Sequence, residues 1–281
     1  MSRHPLLHSA RLLALSSHPL PTCAVTVFAG GLGLLAGNSI ARSLLIAVCV
    51  LAGQLSIGWS NDFLDRGRDA AVLRADKPVA LGEVSSRLVL NSAIAAAVLA
   101  LLLPLTLGIG AAGAAWVIVI SGWGYNLGLK ATVFSFLPYV TAFGALPAIA
   151  TLALADHAFP VWWAWAAGSL LGVAAHFANV LPDLLADEAT GVRGLPHRLG
   201  ARGSAIVGPL LLVAATGVLL LGPSTSWSWW RLVILAAVGA GAVVGAVVGV
   251  RRPGRRPLFA AMIAVCALDL LLFAVSGGTL R

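Results

Sequence analysis

Charge is what this sequence has least of. Of its 281 residues only 10% are Asp, Glu, Lys or Arg, and 59% are hydrophobic, whereas a soluble domain carries about 25% charged residues. Too little charge is present to keep a folded surface wet. That excludes a soluble globular enzyme and points to an all-α polytopic membrane protein. Cysteine is also scarce. Cys23, Cys49 and Cys266 are odd in number, lie in or beside apolar stretches and lack metal-ligand spacing, so they read as reduced, packed thiols. No Pro/Gly/Ser linker, composition change or internal repeat marks a second domain, so residues 1–281 read as one membrane domain. The net charge of +8 does not call for nucleic acid, because the basic residues sit in short loops between apolar segments.

A spanning helix needs about 20 apolar residues. Nine segments qualify: 20–37, 41–60, 88–108, 110–128, 134–154, 161–181, 204–222, 229–250 and 257–276. The preceding stretch, "MSRHPLLHSARLLALSS", lacks the long apolar core and small-residue cleavage site of a signal peptide. It reads as a retained cytoplasmic amphipathic segment over 1–17. With the N-terminus cytoplasmic, fifteen of the 18 Lys and Arg residues fall on the cytoplasmic side, as the positive-inside rule expects. Trp162, Trp163 and Trp165 mark one expected interface, as do Trp227, Trp229 and Trp230. Trp59 and Trp123 mark the cytoplasmic ends of their spans. Glycine-rich runs such as "GGLGLLAG" let helices approach closely in lipid.

The ten acids are distributed unevenly. Asp62, Asp65, Asp69, Asp76 and Glu83 follow the second span, and Asp183, Asp187 and Glu188 follow the sixth. Eight of the ten thus lie in two loops on one membrane face. If the second span continues as a helix through residue 69, Asn61/Asp62, Asp65 and Asp69 line one face. Like charges at this spacing destabilise a bare helix, so something cationic must compensate. Arg66, Arg68 and Arg74 are at hand, with Arg66 and Arg68 placed to pair on their own helix. A divalent metal serves several carboxylates better. His176, Asn179, Asp183 and Asp187 repeat the pattern at i, i+3, i+7 and i+11 of the sixth span. Hard oxygen ligands without cysteine favour Mg2+, Mn2+ or Ca2+ over zinc, and Mg2+ completes its shell with water and substrate phosphate. Two such helices suit a diphosphate. Asp269 lies inside the ninth span, about 18 Å from its cytoplasmic end at a rise of about 1.5 Å per residue. It is too deep for the metal layer and reads as a structural group.

These residues resemble the UbiA superfamily of intramembrane prenyltransferases. "NDFLDRGRD" matches that family's first motif, N-D-x-x-D-x-x-x-D, without a departure. "DLLADEATGVRGLPHRLG" matches the second, with Asp183, Asp187, Gly191, Leu195 and Pro196, and Gly194 where Thr is common. Lys77-Pro78 replaces an Arg-Pro, "YNLGLK" supplies the family's Tyr and Lys as Tyr125 and Lys130, and His18-Pro19 stands where many members carry Arg-Pro. The resemblance implies nine helices around a central cavity in the cell membrane, with the active site facing the cytoplasm. It implies two Mg2+ ions and a prenyl diphosphate, with transfer of the prenyl group to a small-molecule acceptor, an aromatic or quinone precursor. One ion would be held by Asn61, Asp62, Asp65 and Asp69, the other by Asn179, Asp183 and Asp187. Lys77, Lys130, Arg193 and Tyr125 would contact the diphosphate. His176, a turn from Asn179, reads either as a base or hydrogen-bond partner for the acceptor or as a packed, buried histidine. Phe134, Phe136, Phe143 and Phe177 read either as ordinary packing or as π-faces for the carbocation.

Two other functions compete. A terpene cyclase on the same fold would ionise the same diphosphate without an acceptor. A cation channel or transporter could use acidic rings at its mouth, but transporter sites usually lie at the midplane between inverted repeats. Here both clusters sit at one face, and no repeat is present.

Overall fold

Residues 5–222, 229–251, 264, 265 and 280 are described by the structure, a computed structural model. Among them it contains ten α-helices and no strand: α1 (Pro5–Leu15), α2 (Pro19–Leu35), α3 (Ile40–Ala71), α4 (Ser86–Leu102), α5 (Ile109–Leu127), α6 (Leu137–Leu152), α7 (Trp162–Val180), α8 (Leu184–Ala189), α9 (Leu195–Leu221) and α10 (Trp229–Arg251). Punctuation in the sequence explains many of the boundaries. Ser39 caps α3, its side chain accepting from the Arg42 amide at 3.3 Å, which satisfies one of the orphan N–H groups of a helix start. Proline opens α2, α6 and α9, where its missing N–H costs nothing.

Helices occupy each of the first eight predicted spans. The ninth, 257–276, with Asp269 and Cys266, lies almost entirely outside the described residues, as does Trp227. Among the described residues five helices are long and apolar enough to cross a membrane: α3, α4 with the 3-10 turn that extends it to Leu107, α7 with its extension to Asp183, α9 and α10. The pair α1 and α2, bent by 73°, makes a sixth if it is one span. By this criterion the count among the described residues falls below nine: α6 has only 16 residues, α5 is not among the helices that qualify, and the ninth segment is not described.

In the bundle α3 packs on α2, α4 and α5, α6 lies between α5 and α7, and α9 lies between α7 and α10. One apolar core joins Ile46, Cys49, Ile118, Leu146 and Ile149. A second joins Leu171, Leu181, Ala205 and Leu212. Outward positions are also apolar, among them Leu44, Ile120, Leu210 and Val243, while Ser56, Ser60, Asp62, Thr151 and Thr216 are buried. Apolar side chains outside and polar groups inside suit a hydrocarbon solvent.

The N-terminal segment forms α1 and packs across the end of α3. Leu12 is buried with Val79, Val84 and Val89, beside Trp59 and Phe63. The break between α1 and α2 falls at His18, which adopts the left-handed conformation (φ 54°, ψ 66°), uncommon for a residue with a Cβ. The surroundings hold it there. Trp59 Nε1 donates to the Leu13 carbonyl at 2.8 Å and Thr22 Oγ1 to that of Ser17 at 2.7 Å. Gly58 of α3 lets this corner close in, since a Cβ there would lie 2.5 Å from the Ser17 carbonyl oxygen.

The tryptophans divide. Trp162, Trp165 and Trp229 are exposed, as expected of an interface, but Trp163 is buried in the core. Trp59 and Trp123 serve as internal donors, Trp123 Nε1 reaching Ser56 Oγ at 2.9 Å.

Candidate active site

The end of α3 carries the first motif. The helix continues to Ala71, so Asn61, Asp62, Asp65 and Asp69 share one face, as their spacing predicts. Asp62 is 2% exposed. Its Oδ1 accepts from Lys77 Nζ at 2.6 Å and lies 2.9 Å from His18 Nε2. Lys77 Nζ and His18 Nε2 are themselves 3.0 Å apart, so three segments meet at one carboxylate oxygen. Asp65 accepts from Arg68 and Lys130 and from Asn61 Nδ2 at 3.1 Å. Asn126 locks α5 to α3: its Nδ2 donates to the Ile57 carbonyl and Ser60 Oγ, both at 2.9 Å, and its Oδ1 accepts from Asn61 at 3.1 Å.

Residues 72–85 fold back over this end. Arg74 is the link to the second motif. It forms a two-point pair with Asp76 at 2.8 and 3.0 Å, and its Nη1 lies 3.3 Å from Asp183 Oδ1. The guanidinium pushes the Asp76 carboxyl down to about 2, against a smaller opposing effect of burial. Asp69 carries no ion pair among the described residues, but its backbone carbonyl accepts from the Arg74 amide at 3.0 Å.

The second motif departs from the expected single helical face. α7 ends at Val180, Leu181–Asp183 form a 3-10 turn, and α8 carries Asp187. Pro182 falls at this break: it has no N–H for the helical ladder, and its ring crowds the carbonyl four residues back. Asp187 lies 3.3 Å from His197 Nε2, and Asn179 shares a hydrogen bond with Tyr139. Gly194, in extended backbone (φ −68°, ψ −178°), sits where a Cβ would meet the Lys130 carbonyl at 2.6 Å and Ser135 Oγ at 2.7 Å. Ser135 Oγ accepts from the Leu195 amide at 2.8 Å and lies 2.9 Å from His176 Nε2.

An aromatic cluster lies beside Asn179. Tyr125 meets Tyr139 and His176 edge-on, at ring-centroid distances of 5.3 and 5.7 Å. Tyr139 stacks on Phe143, and Phe177 flanks His176. The two tyrosines, the only ones in the chain, are hydrogen-bonded to each other. His176 is 1% exposed, and its Nδ1 has no hydrogen-bond partner among the described residues.

The structure therefore brings together Asn61, Asp62, Asp65, Lys77 and Lys130 at the first motif. Arg74 joins this end of the chain to Asp183, and Tyr125 and His176 stand beside Asn179. Lys130 is buried at a turn between helices, which pushes its ammonium below the ordinary lysine range, with Asp65 opposing. One expectation is corrected. Arg66 does not pair with an aspartate. It donates to its own helix at the Phe63 carbonyl (2.6 Å) and covers the Phe63 ring, because it is on the exposed face of α3. Phe134 is exposed and does not join the aromatic cluster, where Tyr139 stands instead. Arg193 is exposed and forms no ion pair with either motif. Sequence reasoning missed the roles of His18, Asn126, Ser135, Tyr139 and His197. The departure at His18 and the scarcity of tyrosine were the available signals.

Among the described residues, no three His, Cys, Asp or Glu side chains converge as a metal cage. The donor set nevertheless fits Mg2+, which usually takes one or two carboxylates and fills its shell with water and phosphate.

The profile of the UbiA prenyltransferase family matches residues 20–274. No curated protein matches the sequence. Among solved structures, the chain is similar to a UbiA homologue from Archaeoglobus fulgidus bound to GPP and Mg2+, at 17% identity and a TM-score of 0.71, with 95% of this chain and 98% of that one covered. It is also similar to the same organism's homologue bound to DMAPP and Mg2+ (16% identity, TM-score 0.70, 94% and 98% covered). The apo homologue from Aeropyrum pernix K1 gives 18% identity and a TM-score of 0.72, with 92% and 98% covered. At these identities the likeness is one of fold.

Proposed function

The chain belongs to the UbiA prenyltransferase family, and from that premise we propose that it transfers a prenyl group from a prenyl diphosphate to an aromatic or quinone-precursor acceptor, within the cell membrane and at its cytoplasmic face. It is an integral membrane protein of a prenyltransferase family. The observation that carries the reading is Arg74, whose guanidinium pairs with Asp183 from the loop that also brings Lys77 onto Asp62. Two acidic motifs more than a hundred residues apart are thereby tied to one another.

Asn61, Asp62, Asp65 and Asp69 would hold one Mg2+, and Asn179, Asp183 and Asp187 a second. When bound, Mg2+ supplies Lewis-acid stabilisation of the charge that grows on the leaving diphosphate. Lys77, Lys130 and Arg74 give that diphosphate charge-assisted hydrogen bonds, and Tyr125 can donate from its phenol. Arg74 is better placed for this than Arg193, whose side chain is exposed. Tyr125, Tyr139, Phe143 and Phe177 present aromatic faces to an allylic cation and help exclude water from it. A buried imidazole nitrogen without a hydrogen-bond partner among the described residues favours transfer over cyclisation. His176 Nδ1 gives a polar acceptor something to bond, and a hydrocarbon folding onto itself has no use for it.

The test is release of diphosphate from labelled prenyl diphosphates in detergent. Release should require Mg2+ and fall at least about 100-fold in Asp62→Ala and Asp183→Ala, a loss of about 2.7 kcal/mol or more in transition-state stabilisation, with thermal melting retained. Unchanged turnover in either variant would sink the metal assignment. A cyclic hydrocarbon formed without acceptor would replace the transferase reading with the cyclase.

A further inference from the structure

Three of the five motif aspartates are already engaged by Lys or Arg side chains, most of them from distant parts of the chain. Asp62 Oδ1 holds Lys77 Nζ at 2.6 Å and His18 Nε2 at 2.9 Å. Asp65 holds Lys130 and Arg68, Asp183 holds Arg74 at 3.3 Å, and Asp187 lies 3.3 Å from His197. These contacts occupy oxygens of the carboxylates that would bind a metal. Mg2+ binds carboxylate oxygen at about 2.0–2.1 Å. A dication on Asp62 Oδ1 would then stand within about 5 Å of the ammonium on the same oxygen, and the two would repel.

Lys77 and Lys130 have nowhere neutral to go. Their side chains are 10% and 8% exposed, and a buried charge that loses its partner is strongly disfavoured. Each ammonium releases its aspartate most readily when another anion receives it. The metal has a matching need, because no three acidic or imidazole side chains among the described residues form a cage for it.

We infer that Lys77 and Lys130 are exchange partners that couple the two ligands of this site: each yields its aspartate to the metal as it takes up the diphosphate, so the chain binds a metal–diphosphate complex and holds either component alone weakly. The inference rests on the metal assignment made above. It adds a binding order that the motifs do not contain. Free metal meets a site whose negative charge is already neutralised, and free diphosphate meets lysines already committed to carboxylates. By linkage, the diphosphate must tighten the metal by the same factor as the metal tightens the diphosphate. His18 reinforces the arrangement at Asp62. The α1–α2 corner, seated on Gly58, holds its ring against both members of the pair.

The experiment uses the full chain in detergent, with Mn2+ as the spectroscopic probe for Mg2+ and methylenediphosphonate as the non-hydrolysable anion. Electron paramagnetic resonance counts free Mn2+, corrected for the complex formed with the anion in solution. In the wild-type protein the anion should tighten Mn2+ at least tenfold. Lys77→Met should bind Mn2+ alone at least fivefold tighter than wild type, because Asp62 loses its ammonium and keeps only His18, and should lose most of the coupling. Lys130→Met should do the same through Asp65, which then keeps only Arg68 of its own helix, so a single variant that fails to fold does not remove the test. Equal Mn2+ affinity with and without the anion in wild type would overturn the inference while leaving the metal assignment standing. So would weaker or unchanged binding of Mn2+ alone in both folded variants. Absence of Mn2+ binding in every arm would overturn the inference and the metal assignment together.

Discussion

At the scale of single residues, the site is most informative where it departs from its family. Gly194 stands where the family commonly has Thr, and its backbone is extended, so conformation does not demand glycine. Space does, because a Cβ would enter the Lys130 carbonyl and Ser135 Oγ. Gly194→Thr should therefore destabilise the fold by about 1–3 kcal/mol, the usual cost of overpacking. It should also displace Lys130 from Asp65, lowering turnover beyond the loss of folded protein. Thermal melting and activity per folded molecule check the two effects separately. A variant as stable and active as wild type would show that the turn relaxes around the new side chain. The aspartate spacing was legible in the sequence because it is local: residues three or four apart on one helix must share a face. His18, Asn126 and Tyr139 were not, because their partners lie 44, 65 and 40 residues away, and no periodicity reports a contact of that range.

The elements show how one motif logic is built in two different ways. α3 carries its aspartates on an uninterrupted helix, whereas the second motif begins on α7, passes through a 3-10 turn and ends on α8. The spacing in the sequence suggested equal faces, and the break falls at Pro182, which has no N–H for the helical ladder. A 3-10 turn completes a circle in 3.0 residues against 3.6 for an α-helix, so three residues rotate the chain about 60° further. That rotation turns Asp183 relative to Asn179. In Pro182→Ala the helix can run on from α7 into α8. Helical propensity then favours the variant, so its melting temperature should hold or rise, while Mg2+-dependent turnover falls at least tenfold. A loss of stability with normal turnover per folded molecule would mean that the break serves packing and not the geometry of the site.

For the molecule as a whole, the positions of the apolar segments were legible, since helices appear at each of the first eight. Their lengths were less so: α6 is only 16 residues long, and hydropathy alone does not show where a helix yields to a turn. The face on which the site lies follows from charge. The loops that carry Lys77, Lys130 and Arg74 are brought to one end of the bundle by their pairs with the aspartates. Residues 153–161 lie at the other end of α6, about 24 Å away at about 1.5 Å per residue. Basic residues crowd the first end, and translocating short basic loops is what the positive-inside rule opposes. The site should therefore face the cytoplasm. In a cysteine-free background, a membrane-impermeant maleimide added to intact cells should label Ala155→Cys and spare Glu83→Cys, both of which are exposed. Inverted membrane vesicles should give the reverse pattern. Labelling of Glu83→Cys in intact cells would place the site outside, and the prenyl diphosphate would then have to be supplied from the other side of the membrane.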